Sequence, residues 1–594
     1  MLDNFIRGGQ IFLHNVAMFK QVVGKTFAIA LLASVLITGY MTIPHFQEMD
    51  FYAGSTYIKA QAVQWVYDHR VILHKNAYSS LPKIDAYDKK GLYMAKAGTG
   101  NVIKSTKFKS AYRQIEDLVY QILMTAALIT GGFIVLVFFI WTRFGRAAKE
   151  SRNISGGKIL SAREVKNYLR RHKLASDILL GSMPLVKDSE TKHILLTGST
   201  GSGKTNCLHG ILPQIRARKQ PAIVIDLEGS LVTRYYRPEQ DIIINPYDTR
   251  SHRWDFWGEV ADPSSLEVIT NSLFPGMDNG SSEVNGLFEK WAGMFFKTCV
   301  LYLQKKSSAL TINELYNMLH IQKPEVLMPK LKGTPAAAIM DLNNEKNITA
   351  HNIRANAMAH TEWLSLLAVQ SKKEVKEICF KKWFEGIEAE NKDRWIFLTA
   401  TPKQASVLLP LISLLMDIAV SSLMEKGEDK NRRIWFIIDE LAALNKMPVL
   451  EKSLTRLRKY GGCILAATQM FKQLFAKYGR DMGSIMIGQF NTNIIFRNTD
   501  IDEATIISKR AGEVEYLMQQ KNTSYGAHEH RDGISYSEQE KRKSLLKPSD
   551  IVNLKPLEAF VLLPEPQVAV SKITTKLAKE TKSLQPFFVP PPTS

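Results

Sequence analysis

The sequence predicts an α/β protein: a parallel, doubly wound sheet that carries a phosphate-binding loop, is split by an all-helical insertion, and follows two membrane-spanning helices. Three observations predict it. First, the apolar run His193-Ile194-Leu195-Leu196-Thr197 leads directly into Gly198-Ser199-Thr200-Gly201-Ser202-Gly203-Lys204-Thr205. This is a G-x-x-x-x-G-K-T loop, and residues 206–212 after it can continue as a helix. Second, further apolar runs downstream alternate with helix-length segments, the pattern of a parallel sheet. Third, two long stretches near the N-terminus are apolar and almost free of charge.

Composition limits the classes. The chain has 594 residues, 45% hydrophobic and 23% charged, which suits a mostly folded protein of about three to four domains. Its formal charge of +20 favours a polyanionic partner, nucleic acid or an anionic membrane surface, over a merely solvated basic face. Four cysteines, Cys207, Cys299, Cys379 and Cys463, are widely spaced with no C-x-x-C. They argue against a zinc site or a disulfide framework and suit a reducing cytosol.

Taken in order, residues 1–150 read as a membrane domain. Residues 26–43 (TFAIALLASVLITGYMTI) are apolar and end before Pro44. At about 18 residues they reach the lower limit for a span. An uncleaved anchor is preferred over a signal peptide, because no clear A-x-A site is present and a second span, residues 118–142, follows. Arg143, Arg146 and Lys149 flank the second span, and Arg7, Lys20 and Lys25 precede the first. The basic ends therefore face the cytoplasm, with both termini on that side. Residues 44–117 become a small extracytoplasmic domain; its own Lys104, Lys107, Lys109 and Arg113 weigh less because the loop exceeds about 60 residues.

Residues 143–192 are polar, broken at Gly156-Gly157, and read as a linker with one helix near 162–172. The first part of the nucleotide-binding domain spans 151–261. It includes the phosphate loop, a buried strand Ala222-Ile223-Val224-Ile225-Asp226, and another at Ile242-Ile243-Ile244. Helical periodicity dominates 262–390. Sheet signals return over 391–570: Trp395-Ile396-Phe397-Leu398, a helix over 405–424, Ile434-Trp435-Phe436-Ile437-Ile438, Gly462-Cys463-Ile464-Leu465-Ala466-Ala467-Thr468, and residues 493–496. His528-Glu529-His530 reads as a surface loop, and the Lys-rich then Pro-rich residues 571–594 as a disordered tail.

The candidate site residues follow from chemistry. Gly198, Gly201 and Gly203 let the backbone approach a polyphosphate, with Ser199, Thr200 and Ser202 supplying N–H groups between them. Lys204 can reach the β- and γ-phosphates of ATP, and Thr205 can place its hydroxyl on Mg²⁺. The strand 434–438 ends in Asp439-Glu440, with the character of a Walker B motif: Asp439 to hold Mg²⁺ through water, Glu440 to polarise the attacking water. Gln469 closes the next strand and can contact the γ-phosphate or that water, unless it is an ordinary loop residue. Arg456, Arg458 and Lys459 are either a solvated helix end or a source of an arginine finger.

Two spans, a split phosphate-loop ATPase and a helical insertion together resemble the type IV coupling proteins of conjugation, F-type members most of all. The resemblance covers roughly residues 5–570. It is carried by Gly8-Gly9-Gln10-Ile11, Asp188-Ser189-Glu190, Asn245-Pro246 with Trp254-Asp255, Asn431-Arg432-Arg433, Asp439-Glu440-Leu441 and Arg458-Lys459-Tyr460-Gly461-Gly462-Cys463. Tyr525-Gly526 and Arg531-Asp532-Gly533 continue it.

The resemblance implies a RecA-like motor, a homo-hexamer around a channel in the bacterial inner membrane. Such a motor would deliver relaxase-bound single-stranded DNA, bound largely without sequence preference, from the relaxosome to the subunits of a type IV secretion channel. It also assigns the arginine finger to Arg458. F-type members extend into an acidic tail that docks a relaxosome protein; this chain departs from that pattern, ending basic and Pro-rich. Two alternatives remain: an FtsK-like DNA pump, disfavoured by the number of spans, and a membrane substrate receptor with weak ATPase, disfavoured by the complete set of catalytic positions.

Overall fold

The computed structural model describes residues 2–73, 82–87, 91, 93–149, 152–261, 263–276, 283–306, 310–340, 347–370, 375–390, 393–524, 533–566, 569–577 and 585–590. His528-Glu529-His530, Tyr525-Gly526, Arg531-Asp532 and the terminal Pro591-Pro592 lie outside them. The chain divides into two units, residues 1–152 with 517–539, and 153–516 with 540–594.

In the first unit, α1 (Leu2–Glu48) and α4 (Thr106–Lys149) are long helices packed side by side. Phe19, Val22, Val23 and Phe27 of α1 face Ile134, Val137, Phe138 and Trp141 of α4. Phe19–Pro44 and Thr106–Arg143 are long and apolar enough to cross a membrane by length and composition. Their outer faces leave Leu32 64%, Val135 68% and Leu128 72% exposed, an apolar area too large for a water-facing surface. Both helices run well past the expected 26–43 and 118–142, because the flanking polar residues continue the helix without a break.

Between them lie α2 (Phe51–Leu73), the hairpin of β1 (Lys83–Tyr87) and β2 (Tyr93–Gly98), and α3 (Thr99–Lys104). Small residues let α2 approach α4 closely: a Cβ on Gly54 would lie 3.2 Å from the Ala111 carbonyl, and the Tyr57 and Tyr112 rings meet at 5.1 Å.

In the second unit, β3 (Arg152–Ser155) and β4 (Ile159–Ser161) are followed by α5 (Ala162–Arg171), β5 (Ala175–Leu180) and β6 (Met183–Val186). The segment read as a linker is thus folded. Its helix is where expected, started by a capping box in which Ser161 and Glu164 satisfy each other's backbone N–H.

The main sheet adds β7 (Ile194–Thr197), β8 (Ala222–Asp226), β9 (Ile242–Ile244), β12 (Trp395–Thr399), β13 (Ile434–Ile438), β14 (Gly462–Thr468), β15 (Thr492–Ile495), β18 (Glu558–Leu562) and β19 (Val570–Thr574). Its order is β4-β19-β18-β15-β7-β14-β13-β8-β12-β9. From β15 to β9 every pair is parallel. These strands are covered on both faces and so read as continuous apolar runs. Alternate residues divide between two cores: Leu195, Ile223 and Ile225 on one face, Leu196, Ala222 and Val224 on the other.

The expected all-parallel sheet is corrected at one edge, where β18 pairs antiparallel with β15 and with β19. The disordered tail from Ser571 is corrected as well, since it holds most of β19. Residues 585–589 also lie on the second unit. The Gln585 N–H donates to the Thr233 carbonyl at 2.9 Å, Phe587 fills the space above Gly229, and the Thr249 N–H donates to Val589 at 3.0 Å.

The helical insertion runs through α8 (Phe256–Glu259), α9 (Pro263–Leu273), α10 (Glu283–Lys306), α11 (Ile312–Tyr316), α12 (Pro324–Leu331), α13 (Pro335–Ile339), α14 (Ile348–His360), α15 (Leu364–Gln370) and α16 (Phe380–Glu390). At its root β10 (Arg253–Trp254) pairs with β11 (Glu377–Ile378), a short strand inside the expected all-helical region. The helix α17 (Ala405–Glu425) is as apolar as a membrane span, yet most of it is buried in the core under the sheet. Two-faced burial, rather than lipid, explains its composition.

Candidate nucleotide-binding site

The site begins where β7, buried on both faces, ends at Thr197. The loop 198–203 then turns into α6 (Lys204–Ala217). Gly198, Gly201 and Gly203 have φ of 150°, 73° and 121°, a backbone path that side chains disfavour. At Gly198 a Cβ would also lie 2.8 Å from Phe496 Cβ and from Ser202 Oγ, so the position admits only hydrogen. The loop is sewn to neighbouring strands: Ser199 N–H donates to Arg497 O at 2.9 Å, its Oγ meets Thr499 Oγ1 at 3.1 Å, and Leu557 N–H donates to Ser202 O at 3.0 Å.

Lys204 is buried. Its ammonium donates to the loop's own carbonyls, Gly198 O at 2.6 Å and Ser199 O at 3.3 Å. Burial lowers its pKa, while Glu440, Asp439 and Glu228 push it back up. Thr205 is half-buried on the first turn of α6; Ser202 is buried, and Thr200 is exposed.

The sheet order sets β14 between β7 and β13, so Asp439 and Glu440 emerge beside the phosphate loop. Asp439 is buried, and its carboxyl is pushed up to about 7 by that burial, with Asp226, Glu228 and Glu440 adding to the effect. Burial also raises Glu440. Its Oε1 accepts a long hydrogen bond, 3.4 Å, from the Gln469 N–H. Among the described residues, Asp439 Oδ2, Glu440 Oε2, Ser202 Oγ and Thr197 Oγ1 have no hydrogen-bond partner. Buried polar atoms without partners are rare and cost about 1–3 kcal/mol each, so a cluster of them marks a place where a ligand completes the bonding. Oxygen donors with a carboxylate among them are a donor set that fits Mg²⁺.

Gln469 joins this group: its Oε1 accepts from the Thr200 hydroxyl at 2.7 Å. Arg458 does not. It is exposed on the 3-10 turn Leu457–Tyr460 ahead of β14. Because β14 runs parallel to β7, that turn lies at the opposite end of the strands from the phosphate loop, about 20 Å away at ~3.3 Å per residue. Among the described residues no acid pairs with Arg456 or Arg458, whereas Lys459 lies 3.6 Å from Glu428.

Two acids went unread in the sequence. The Asp226 carboxylate accepts from the N–H groups of Gly229, Leu231 and Val232 at 2.7, 2.9 and 2.7 Å, and so holds the turn after β8. Glu228, on that turn, is exposed and acts on Lys204 and Asp439 through its charge. The signal was an acid-rich end to an apolar run, Asp226-Leu227-Glu228; its proximity to Lys204 depends on strand order.

Comparison with known proteins identifies the family and the fold. The family model for the type IV secretion-system coupling protein DNA-binding domain matches residues 177–576. The coupling protein TraD of Escherichia coli (strain K12) is 31% identical over 471 residues, 78% of this chain and 64% of TraD. The VirD4 protein of Rhizobium radiobacter is 23% identical over 67% of this chain and 59% of its own length. The chain thus spans less than two thirds of either relative. Among solved structures, the unbound conjugative coupling protein TrwB, lacking its N-terminal 70 residues, aligns with a TM-score of 0.63 at 23% identity, over 74% of this chain and 97% of that one. TrwB with ADP and Mg²⁺ aligns equally well. That likeness establishes the fold: a phosphate-loop ATPase core with a helical domain. Because the family model covers well over half of its length, the chain belongs to the type IV secretion-system coupling proteins and is similar to TraD.

Proposed function

We propose that this protein is an inner-membrane, ATP-driven DNA translocase that links relaxase-bound DNA of the relaxosome to a type IV secretion channel. The observation that carries the reading is the meeting of Lys204, Asp439 and Glu440 around unpartnered buried oxygens, in a chain of the coupling-protein family. Solved complexes of TrwB with ADP and Mg²⁺, and with a non-hydrolysable ATP analogue, support a nucleotide as the missing partner. The net charge of +20 supports DNA as the cargo.

In this reading the backbone N–H groups of residues 198–203 bind the phosphates. Lys204 leaves the carbonyls of Gly198 and Ser199 to neutralise phosphate charge. Thr205 and, through water, Asp439 would hold Mg²⁺, which when bound offsets charge on the phosphates. Glu440 takes a proton from the attacking water, and Gln469 orients that water or the γ-phosphate. Arg458 cannot reach its own chain's phosphate loop, so it serves the site of a neighbour in a homo-hexamer.

The domain scheme completes the proposal. Residues 1–150 form the membrane domain, with the 44–117 segment extracytoplasmic and both termini cytoplasmic. Segments 151–261 and 391–570 form the RecA-like domain, and 262–390 the helical domain.

The test is the ATPase of the full-length protein with and without DNA, together with DNA transfer between cells. DNA should stimulate turnover, and Lys204→Ala should abolish both turnover and transfer while the protein still inserts in the membrane. Full transfer by Lys204→Ala would overturn the reading. Nucleotide binding without DNA-stimulated turnover would instead favour a substrate receptor.

A further inference from the structure

The segment that presents Arg458 is fixed at both ends by buried polar side chains that the nucleotide site does not use. At its start, Asp417 of α17 is fully buried. Its carboxylate accepts from the backbone N–H groups of Val449 at 3.2 Å and Leu450 at 2.9 Å, in the first turn of α18 (Pro448–Ser453). The Ser272 hydroxyl of α9 donates to it at 2.7 Å, which joins the same carboxylate to the helical insertion. Two neighbouring bonds fix the approach: Asn445 N–H to Ser413 Oγ at 2.9 Å and Met447 N–H to Tyr478 Oη at 3.1 Å.

At the other end, His193 Nε2 donates to the Leu454 carbonyl at 2.9 Å, while Ile464 N–H donates to Nδ1 at 3.3 Å. A ring nitrogen that accepts leaves the proton on the other one, so His193 is neutral and its tautomer is set. Beyond Arg458, Gly461 at φ 79° turns the chain into β14, where a Cβ would lie 2.4 Å from Arg432 O. The chain is therefore held both before and after Arg458, although its guanidinium is exposed. Buried ionisable groups are expensive, and a plain surface turn would be held as well by apolar packing. Holding one exposed cation at a fixed place is a use that warrants the expense.

We infer that Asp417 and His193 are positioning residues that set the reach of Arg458 into the neighbouring subunit's nucleotide site. The inference rests on the proposed trans role of Arg458. Misplacing a catalytic group by about 1 Å can cost about 10²-fold in rate. In the full-length protein, Asp417→Leu should therefore lower DNA-stimulated kcat about 100-fold and leave the KM for ATP within about twofold. Asp417→Asn keeps an acceptor for the Leu450 N–H and can donate to Ser272, but it takes the acceptor from the Val449 N–H; with one of three bonds lost, the rate should fall about fivefold, far short of the loss in Asp417→Leu.

Mixed rings give the readout that a general folding defect would not produce. Asp417→Leu subunits retain an intact phosphate loop, so mixing them with Lys204→Ala subunits, which retain the Arg458 mount, should restore part of the ATPase. Mixing them with Arg458→Ala subunits should restore none, because both lack the same part. If Asp417→Leu does not assemble, His193→Leu, which frees the other end of the mount, is read in the same mixtures. Restoration by Arg458→Ala partners, a change confined to KM, or failure of both variants to assemble would overturn the inference. Wild-type turnover by Arg458→Ala alone would instead remove the trans role, in an arm that leaves Asp417 untouched.

Discussion

Replacing Glu440 by Gln changes a charge and almost no shape. The side-chain oxygen that accepts from Gln469 N–H at 3.4 Å is kept, and the unpartnered Oε2 becomes an amide nitrogen. What is lost is the base. A positioned general base contributes about 10²–10⁴ in rate, and at ~1.36 kcal/mol per tenfold this adds about 3–5 kcal/mol to the barrier. The variant also removes one of the negative charges that raise Asp439 and support the ammonium of Lys204. Asp439 should then stay ionised to lower pH, which favours binding, while Lys204 loses some support, which opposes it. The two act in opposite senses, so nucleotide affinity should change by less than about threefold, as expected when only a transition-state interaction is removed. Titration with a fluorescent ATP analogue reads the binding, and single-turnover hydrolysis with DNA reads the chemistry. Hydrolysis within about twofold of wild type would refute Glu440 as the base; loss of binding would mean that it holds the site's structure.

DNA binding by the full-length protein should weaken steeply with salt and vary little with sequence, since counterion release gives a slope of about −0.9 per phosphate contacted; a flat log–log salt plot would refute a mainly electrostatic interaction. Stability should depend on pH through Asp417, whose carboxyl is pushed up to about 7 chiefly by burial. A raised folded pKa means that the stabilisation is complete below the unfolded value of about 3.8 and is lost as pH rises through about 7. Asp417→Asn removes that dependence, so its melting temperature should gain on wild type from pH 5 to pH 8, by the equivalent of at most ~3 kcal/mol, the roughly two pH units between 5 and the folded value at ~1.36 kcal/mol each. A constant difference between the two across that range would refute a carboxyl held neutral by burial.

The phosphate loop and the acids after β13 were legible because each is contiguous and its residue types are dictated locally. Glycines are required where φ is positive, a lysine and a hydroxyl follow, and an apolar run ends in two carboxylates. The central strands were legible for a related reason, since burial on both faces writes an unbroken apolar run. Strands β18 and β19 were not. β19 alternates, with Lys572 facing outward, and its composition merges with the polar residues after it. Residues 585–589 went unread because their anchors, Thr233, Gly229 and Thr249, lie more than 300 positions away.

The sequence by itself thus determined the chemical parts: a phosphate cradle, a cation, two carboxylates and a basic cluster after them. The tertiary structure alone decided which of them meet. Strand order inserts β14 between β7 and β13 and gathers Lys204, Asp439, Glu440 and Gln469 at the carboxyl ends of the strands. Parallel direction sends Arg458 to their amino ends. Local residue types follow from the burial and dihedral angles of each segment, whereas the neighbours of a strand follow from pairing and packing summed over the whole sheet, which no single segment records.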